Sequence, residues 1–150
     1  MAIFGAGSKW NENELKYEFF QNEKFIIGWN ENSAKDLYEA VSLLKVGDIV
    51  YLKGNKPGSR DIRVKGIGLV IKSFIQCLQS GEYASNDISN WNSFFIKIKW
   101  ICQEEFKITI SEDEGRLTNI RAATFYEEYL PYVQEKIIDK IIGCNKISGI

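Results

Sequence analysis

The chain has 150 residues, of which 45% are hydrophobic and 26% charged, and its formal net charge is −1. This length and composition are typical of one ordinary globular domain with a real core. Histidine is absent, which excludes Ser-His-Asp and Cys-His catalysis and any histidine-ligated metal centre. Tight nonspecific binding to duplex DNA is also disfavoured, because it normally requires a basic excess and here 19 basic residues face 20 acidic ones.

The cysteines and the termini predict the compartment. Cys77, Cys102 and Cys144 lie far apart, and no pair has the close spacing of a zinc knuckle. We therefore expect three reduced thiols in a cytoplasmic protein, with no metal and no cofactor. The first residues lack the pattern of a signal peptide, and no stretch approaches the ~20 apolar residues that span a bilayer. No membrane partner is expected.

The N-terminal quarter predicts short strands around a polar segment. Residues 1–4 favour a strand, and Gly5-Ala6-Gly7-Ser8 is predicted to be a small-residue loop that lets a ligand or another backbone come close. The loop lacks the GxGxxG spacing of a dinucleotide site, so a plain turn and a phosphate cradle both stay open. Residues 12–22 form an amphipathic or irregular segment, and residues 24–29 are strand-like.

A helix and a tight turn come next. Ser33 is a good N-cap for a helix over residues 34–44, whose buried face repeats at helical spacing. That face carries Leu37, Val41 and Leu44. Gly47-Asp48 then forms the turn that opens a new strand.

The middle of the chain predicts a run of strands. They are expected over residues 49–53, 62–74, 94–101 and 105–110. Gly66 and Gly68 interrupt the second of them and predict a bulge or bend, such as small barrels use to curl. Residues 54–60 are a clear loop, and Trp100 is predicted to be core because it follows the alternation of its strand.

The C-terminal region predicts one helix over about residues 125–142. Its apolar positions follow four-residue steps, at Tyr129, Val133, Ile137 and Ile141. Pro131 is the one interruption, and the helix can restart there because proline is tolerated in a first turn. The apolar side of this helix is expected to pack on the sheet, and a homodimer contact is the second use. We find no linker and predict a single domain over residues 1–150.

The whole pattern favours an α+β fold, a small twisted β-barrel of five to six strands flanked by helices. Three short motifs carry a resemblance to a known superfamily: the Gly47-Asp48 turn, Gly66-Ile67-Gly68-Leu69-Val70, and a strand ending in Lys97-Ile98-Lys99-Trp100. Over residues 1–110 the chain resembles the PUA-like domains, in particular their EVE and YTH branches.

The resemblance implies a non-catalytic domain that reads a nucleobase, often a modified one, in DNA or RNA. Proteins of this kind often act in bacterial defence or RNA modification. Such domains extrude a nucleotide, stack its base on aromatic side chains and read its edge with hydrogen bonds. The base-binding candidates in this chain are Ser8, Trp10, Trp29, Asn30 and Trp91. For each tryptophan, a role as core filler or loop anchor is the alternative.

Basic residues around the loop after the Gly-Asp strand could hold the nucleic-acid backbone. The phosphate-binding candidates are Lys53, Lys56, Arg60 and Arg121, with Arg63 and Lys65 just beyond the loop. Ordinary solvated loop charge explains the same pattern, and a salt bridge to the acidic turn at residues 111–115 explains Arg121 equally well.

Two other functions remain open from the sequence. A module that binds a free small nucleotide fits the near-zero net charge, and an adaptor domain fits the apolar C-terminal helix. An enzyme is the least favoured class, because no pair of acids is set in an apolar context that would tune it. Without histidine it would depend on Asp48, Tyr51 or Glu104.

Overall fold

The computed structural model of the protein describes residues 1–10, 12–26, 39, 41–54, 59–81, 95–114 and 125–147. Nine strands are found in this part of the chain: β1 (Ile3–Gly7), β2 (Lys9–Trp10), β3 (Asn13–Glu14), β4 (Lys24–Phe25), β5 (Ile49–Gly54), β6 (Asp61–Lys72), β7 (Ile96–Cys102), β8 (Phe106–Thr109) and β9 (Phe125–Glu127). The described helices are α1 (Lys16–Asn22), α2 (Phe74–Gln79) and α3 (Pro131–Ile147), with a short 3-10 turn over Glu112–Glu114.

The fold is α+β, built on a curled mixed sheet that forms a half-barrel. Its described strands follow the order β4-β7-β6-β5-β1-β9, and β8 also pairs with β6. All pairs are antiparallel except β1 and β5, which run parallel. A parallel pair needs a long crossover, and the segment that contains β2, β3, α1 and β4 provides it. A small barrel-like α+β architecture was predicted from the sequence and is confirmed at that level.

Two apolar clusters hold the sheet, one on each face. Along β5, Val50 and Leu52 enter one cluster while Ile49 and Tyr51 enter the other, as strand alternation requires. The first cluster includes side chains of α1 and α2, and the second includes side chains of α3. Trp100 belongs to the first cluster and its indole N–H donates to the Phe19 carbonyl at 2.7 Å, so the prediction of a core tryptophan is confirmed.

The predicted Gly-Asp turn is present and holds two strands in place. Gly47 has a φ of 94°, a left-handed conformation that favours glycine. The buried Asp48 carboxylate accepts hydrogen bonds from the backbone N–H of Ala2 at 2.9 Å and of Lys45 at 2.8 Å. Asp48 therefore ties the start of β1 to the turn that opens β5, which is a structural task.

The helix predicted over residues 34–44 falls mostly outside the described residues. Residues 39, 41 and 42 are helical, and Val41 and Leu44 are buried in the first cluster. These positions agree with the predicted buried face.

Irregular pairing bends the sheet near the predicted glycines. The register between β5 and β6 shifts so that Leu52 faces Gly66 while Lys53 faces Val64, which leaves Lys65 as the extra residue of a bulge. A second shift between β6 and β7 occurs at Ile67 and Gly68. Bulges bend a strand and re-aim side chains, so the predicted bend at these glycines is confirmed.

The predicted loop at Gly5-Ala6-Gly7-Ser8 is wrong for its first three residues, because β1 continues through Gly7. The close approach that glycine permits is nevertheless present. A Cβ added at Gly5 would lie 2.5 Å from Cζ of Tyr126, so the tyrosine ring occupies the space over the glycine. The small residue serves the packing of a neighbouring strand.

The prediction of one helix over residues 125–142 is also corrected. Phe125–Glu127 is a strand that pairs antiparallel with β1, and the helix starts at Pro131. Pairing with a buried strand overrides the local helical spacing, because three backbone residues complete the edge of the sheet. The restart at Pro131 was the alternative that the sequence offered. Val133 and Ile137 are fully buried under the sheet, whereas Tyr129 is exposed.

The expectation of three reduced thiols is wrong for two of the cysteines. A disulfide joins Cys102 at the end of β7 to Cys144 in α3, with Cα atoms 6.0 Å apart, a normal separation for a disulfide. The two residues are 42 positions apart in sequence, so only the packing of α3 on the sheet reveals the pair. Cys77 is buried in the other cluster and takes no part in it.

Candidate functional site

The carboxyl ends of the parallel strands β1 and β5 meet at one edge of the sheet. Their register pairs Gly7 with Lys53, so Ser8, the residue after Gly7, lies near Lys53 along the backbone. Ser8 was predicted to contact a base and Lys53 a phosphate, from sequence positions that are 45 residues apart. The structure places the backbones of these two predicted residues at neighbouring positions.

Ser8 is fully buried in a small polar network. Its hydroxyl donates to Oε1 of Glu14 at 2.5 Å, and Nζ of Lys65 lies 3.4 Å from the same hydroxyl oxygen. Lys65 also donates to Oε2 of Glu14 at 2.6 Å. We call Ser8, Glu14, Lys53 and Lys65 the strand-end cluster. Within it, Glu14 joins the crossover segment to the bulge of β6.

The protonation of Glu14 is fixed by its neighbours. Burial alone would raise the pKa of this carboxyl, but the hydrogen bonds from Lys65 and Ser8 outweigh it and hold the pKa below its ordinary value. Glu14 is therefore ionised at neutral pH and pairs with an ammonium group whose side chain is only 3% exposed.

Among the described residues, the ammonium group of Lys53 has the largest shift in pKa. Burial, and secondarily the positive charge of Lys65, lower its pKa to about 8. Nζ of Lys53 also lies 5.5 Å from the centroid of the Tyr126 ring, within cation–π range. A negative charge placed beside this ammonium group would raise its pKa back toward the ordinary value.

Two tyrosines of the second apolar cluster pack next to Lys53. Tyr51 and Tyr126 are the residues paired with Gly5 on its two sides, and their hydroxyl oxygens are 2.6 Å apart. The rings meet edge to face, with centroids 6.3 Å apart. Both rings are buried in the second apolar cluster.

A second ion pair borders the cluster. Lys16, at the start of α1, donates a hydrogen bond to Oε1 of Glu105 in the turn between β7 and β8. This contact lowers the pKa of Glu105, whereas for Lys16 it outweighs burial and raises the pKa. The Lys16 backbone N–H also donates to Glu14 at 3.2 Å, so both carboxylates hold the start of α1.

The other predicted site residues divide into two groups. Arg60 donates from Nε to the Ile110 carbonyl and from Nη2 to the Ser111 carbonyl, both at 2.8 Å, so it fastens the start of β6 to the end of β8. Trp10 lies in β2, of which only the backbone is described at this residue. The remaining five candidates lie outside the described residues: Trp29, Asn30, Lys56, Trp91 and Arg121.

Sequence reasoning missed Glu14, and it noted Lys65 only as a charge beyond the loop. Within residues 64–71, Lys65 is the one residue that is neither apolar nor glycine, and this is the signal that could have singled it out. Glu14 had no comparable signal, because the segment that carries it is short and polar. Tyr126 was missed because the sequence predicted a helix where the structure has the strand Phe125–Glu127.

Comparisons with known proteins inform the fold alone. No protein-family model matches the chain, and no curated protein sequence matches it either. Among solved structures, a hypothetical protein from Leishmania major is similar with a TM-score of 0.53 and 9% sequence identity. The similarity covers 95% of this chain and 96% of that one. It supports the α+β architecture and says nothing about activity.

Two features are absent from the described residues. No described helix has the length and apolar character needed to cross a bilayer. In the same residues, no three cysteine or carboxylate side chains come together as a group that could hold a metal ion.

Proposed function

We propose that this protein is a PUA/EVE-like domain that reads a nucleobase, a modified one in DNA or RNA, without catalysing a reaction. The observation that carries the proposal is that the backbones of Ser8 and Lys53 lie at neighbouring positions, at the carboxyl ends of β1 and β5. The curled half-barrel around them is of the general kind that the resemblance implies.

The chemistry of this edge suits a nucleotide. Lys53 supplies a positive charge, and the buried Tyr51–Tyr126 pair holds it in place through the cation–π contact with Tyr126. Burial and the charge of Lys65 disfavour the charged form of Lys53, and an anionic group beside it would favour that form. In the proposal, Trp10, Trp29 and Trp91 supply the aromatic stack, and Asn30 reads the base edge. Ser8 is buried, and its hydroxyl holds Glu14 and Lys65 in place behind the site.

Tryptophan fluorescence tests the proposal. The protein is titrated with short single- and double-stranded oligonucleotides, with and without cytosine or adenine modification, at two salt concentrations. We expect saturable quenching that prefers a modified oligonucleotide and is lost in Trp29→Ala. A lack of response to every oligonucleotide would overturn the proposal.

Two lysine variants separate the strand-end cluster from general surface charge. Lys53→Met removes the buried cation, and Lys99→Met removes an exposed one from β7. We expect Lys53→Met to weaken oligonucleotide binding about tenfold, since a charge-assisted contact contributes roughly 1.5–3 kcal/mol. Lys99→Met should bind as the wild type does. Equal losses in both variants would count against a site at this edge.

The salt series also distinguishes a polymer from a free small nucleotide. When a protein neutralises phosphates of a polymer, log affinity falls linearly with log salt concentration. For single strands, each phosphate contact contributes about −0.7 to that slope. A slope close to zero, together with binding of mononucleotides, would assign the same site to a free nucleotide.

An adaptor function is the second candidate, and one observation favours it. Ile138 and Ile142 lie one turn apart on α3 and are 38% and 48% exposed. Two large apolar side chains on one helix face suit a homodimer contact. Sedimentation over a range of protein concentrations should then show self-association that Ile142→Lys abolishes. A monomer at all concentrations excludes this dimer.

A further inference from the structure

We propose that Cys102 and Cys144 form a reversible redox site, entered through the Cys144 sulfur, that small thiols and disulfides of the glutathione class open and close. The proposal goes beyond base binding and does not depend on it. It rests on the difference in burial between the two cysteines and on the contacts that attach α3 to the sheet.

The two sulfurs differ in their access to solvent. Cys102 is 2% exposed in the second apolar cluster, whereas Cys144 is only partly buried at the edge of that cluster. An attacking thiolate must reach one sulfur along the disulfide axis, so access decides which sulfur is attacked. Glutathione can reach Cys144, and the packing around Cys102 blocks the opposite approach.

The reaction balances as ordinary thiol–disulfide exchange. A glutathione thiolate attacks Sγ of Cys144, the disulfide bond breaks, and the electron pair leaves on Sγ of Cys102, which then takes up a proton. A second glutathione thiolate attacks the mixed disulfide, releasing the Cys144 thiol and glutathione disulfide. In the reverse direction, glutathione disulfide accepts the two electrons and restores the Cys102–Cys144 bond.

The consequence is local, because the rest of α3 has its own anchors. Val133 and Ile137 are fully buried in the first half of the helix. Beyond them, the described contacts are the partly buried Ile141 and those of Lys140, which lies 3.5 Å from Glu104 and 5.1 Å from the centroid of the Phe106 ring. The disulfide is thus the strongest tether of the last turns, and its reduction should loosen those turns while the first half stays docked.

The site of attack can be read directly by peptide mass spectrometry. The oxidised full-length protein is exposed briefly to reduced glutathione, quenched with acid and digested. We expect the glutathione adduct on Cys144. An adduct mainly on Cys102 would overturn the proposed entry point. If glutathione disulfide never produces the intramolecular bond in reduced protein, the redox site itself is excluded.

Single-cysteine reactivity gives a second, independent readout with an internal reference. Cys102→Ala leaves the Cys144 thiol, Cys144→Ala leaves the Cys102 thiol, and both variants retain Cys77, which is 1% exposed in the wild type. We expect iodoacetamide to alkylate Cys144 at least about tenfold faster than Cys77, and Cys102 at the slow rate of Cys77. Equal rates for Cys102 and Cys144 would contradict the argument from access.

Hydrogen exchange on the wild-type protein tests the consequence without any mutation. Adding a reductant should speed amide exchange in residues 141–147 and leave residues 133–137 unchanged. Unchanged exchange in the last turns would show that the disulfide does not hold them. Faster exchange along the whole helix would show that the tether is global, which also contradicts the proposal.

Discussion

The hydroxyl groups of Tyr51 and Tyr126 meet at 2.6 Å above Gly5, the residue that pairs with both of them across the sheet. This contact joins β5 to β9 over the top of β1. It also positions the Tyr126 ring beside Lys53. The glycine, the two tyrosines and the lysine are therefore one structural unit, although they come from three separate parts of the chain.

Gly5→Ala should destabilise the fold strongly. Its new Cβ would lie 2.5 Å from Cζ of Tyr126, so the ring must move and the tyrosine contact must break. Overpacking of this kind costs about 1–3 kcal/mol, to be measured as the free energy of unfolding in urea. Gly143→Ala is the matched control, because it lies in α3 with no atom within 4 Å of the added Cβ. The free energy of unfolding of that control should rise by about 0.5–1 kcal/mol. An equal loss in both variants would show that the contact of Gly5 with Tyr126 is not the cause.

Local signals predicted the centre of the sheet well. The Gly47-Asp48 turn, β5 and the bend in β6 depend on residues close together in sequence, so turn chemistry and alternation were enough. The strand at Phe125–Glu127 could not be predicted in the same way. Its three residues become a strand only because β1, about 120 positions earlier in sequence, offers an unpaired edge.

The candidate site was predictable only in part, for a similar reason. Ser8 and Lys53 were singled out from their places near strand ends, and the parallel register of β1 and β5 explains why both belong to one edge. Glu14 entered the cluster through the crossover segment, whose path the sequence does not show. Lys65 was re-aimed by a bulge, which breaks the alternation on which sequence arguments depend.

Stability should depend on pH through Lys53. Its pKa is about 8 in the folded protein, against 10.5 for an ordinary solvated lysine, so the unfolded chain binds more protons between these values. Stability therefore rises as pH increases from about 8 to 10.5, and at pH 7 the charged, buried lysine costs about 3 kcal/mol. Lys53→Met should remove that rise and be more stable than the wild type at pH 7.

The measurement for Lys53 is urea unfolding at several pH values, read as a difference between variants because other groups titrate in the same range. Lys99→Met, at an exposed position of β7, is the matched control and should follow the wild-type curve. A Lys53→Met curve parallel to the wild type above pH 8 would show that this lysine is not the titrating group.

Glu14→Gln should lower the free energy of unfolding, because it leaves the buried Lys65 without the carboxylate of Glu14. Lys65 is 2% exposed and donates to Glu14 at 2.6 Å. Removing one partner of a buried ion pair costs about 3 kcal/mol at neutral pH. Because the pKa of Glu14 is lowered on folding, its contribution is present above pH 4.5 and is lost as the pH falls through the folded pKa. The difference between wild type and variant should therefore shrink in acid.

Glu12→Gln is the control for that experiment. Glu12 is two residues away, and its side chain is 96% exposed, 3.8 Å from Lys9. Exposed pairs of this kind contribute at most about 1 kcal/mol, so unfolding should barely change. If both glutamates behaved alike, the network around Ser8 would have no special role. The double variant Glu14→Gln, Lys65→Met should recover part of the loss, which identifies the pair itself as the cause.

The two faces of α3 should respond differently to the same substitution. Ile137 is fully buried against the sheet, whereas its neighbour Ile138 is 38% exposed. Ile137→Ala should cost about 3 kcal/mol of unfolding free energy, because it removes buried methyl groups and leaves a cavity. Ile138→Ala should cost less than about 1 kcal/mol. Thermal and urea unfolding of the two variants compare them directly, and a larger loss at Ile138 would mean that the exposed face is covered in solution by a second copy of the chain.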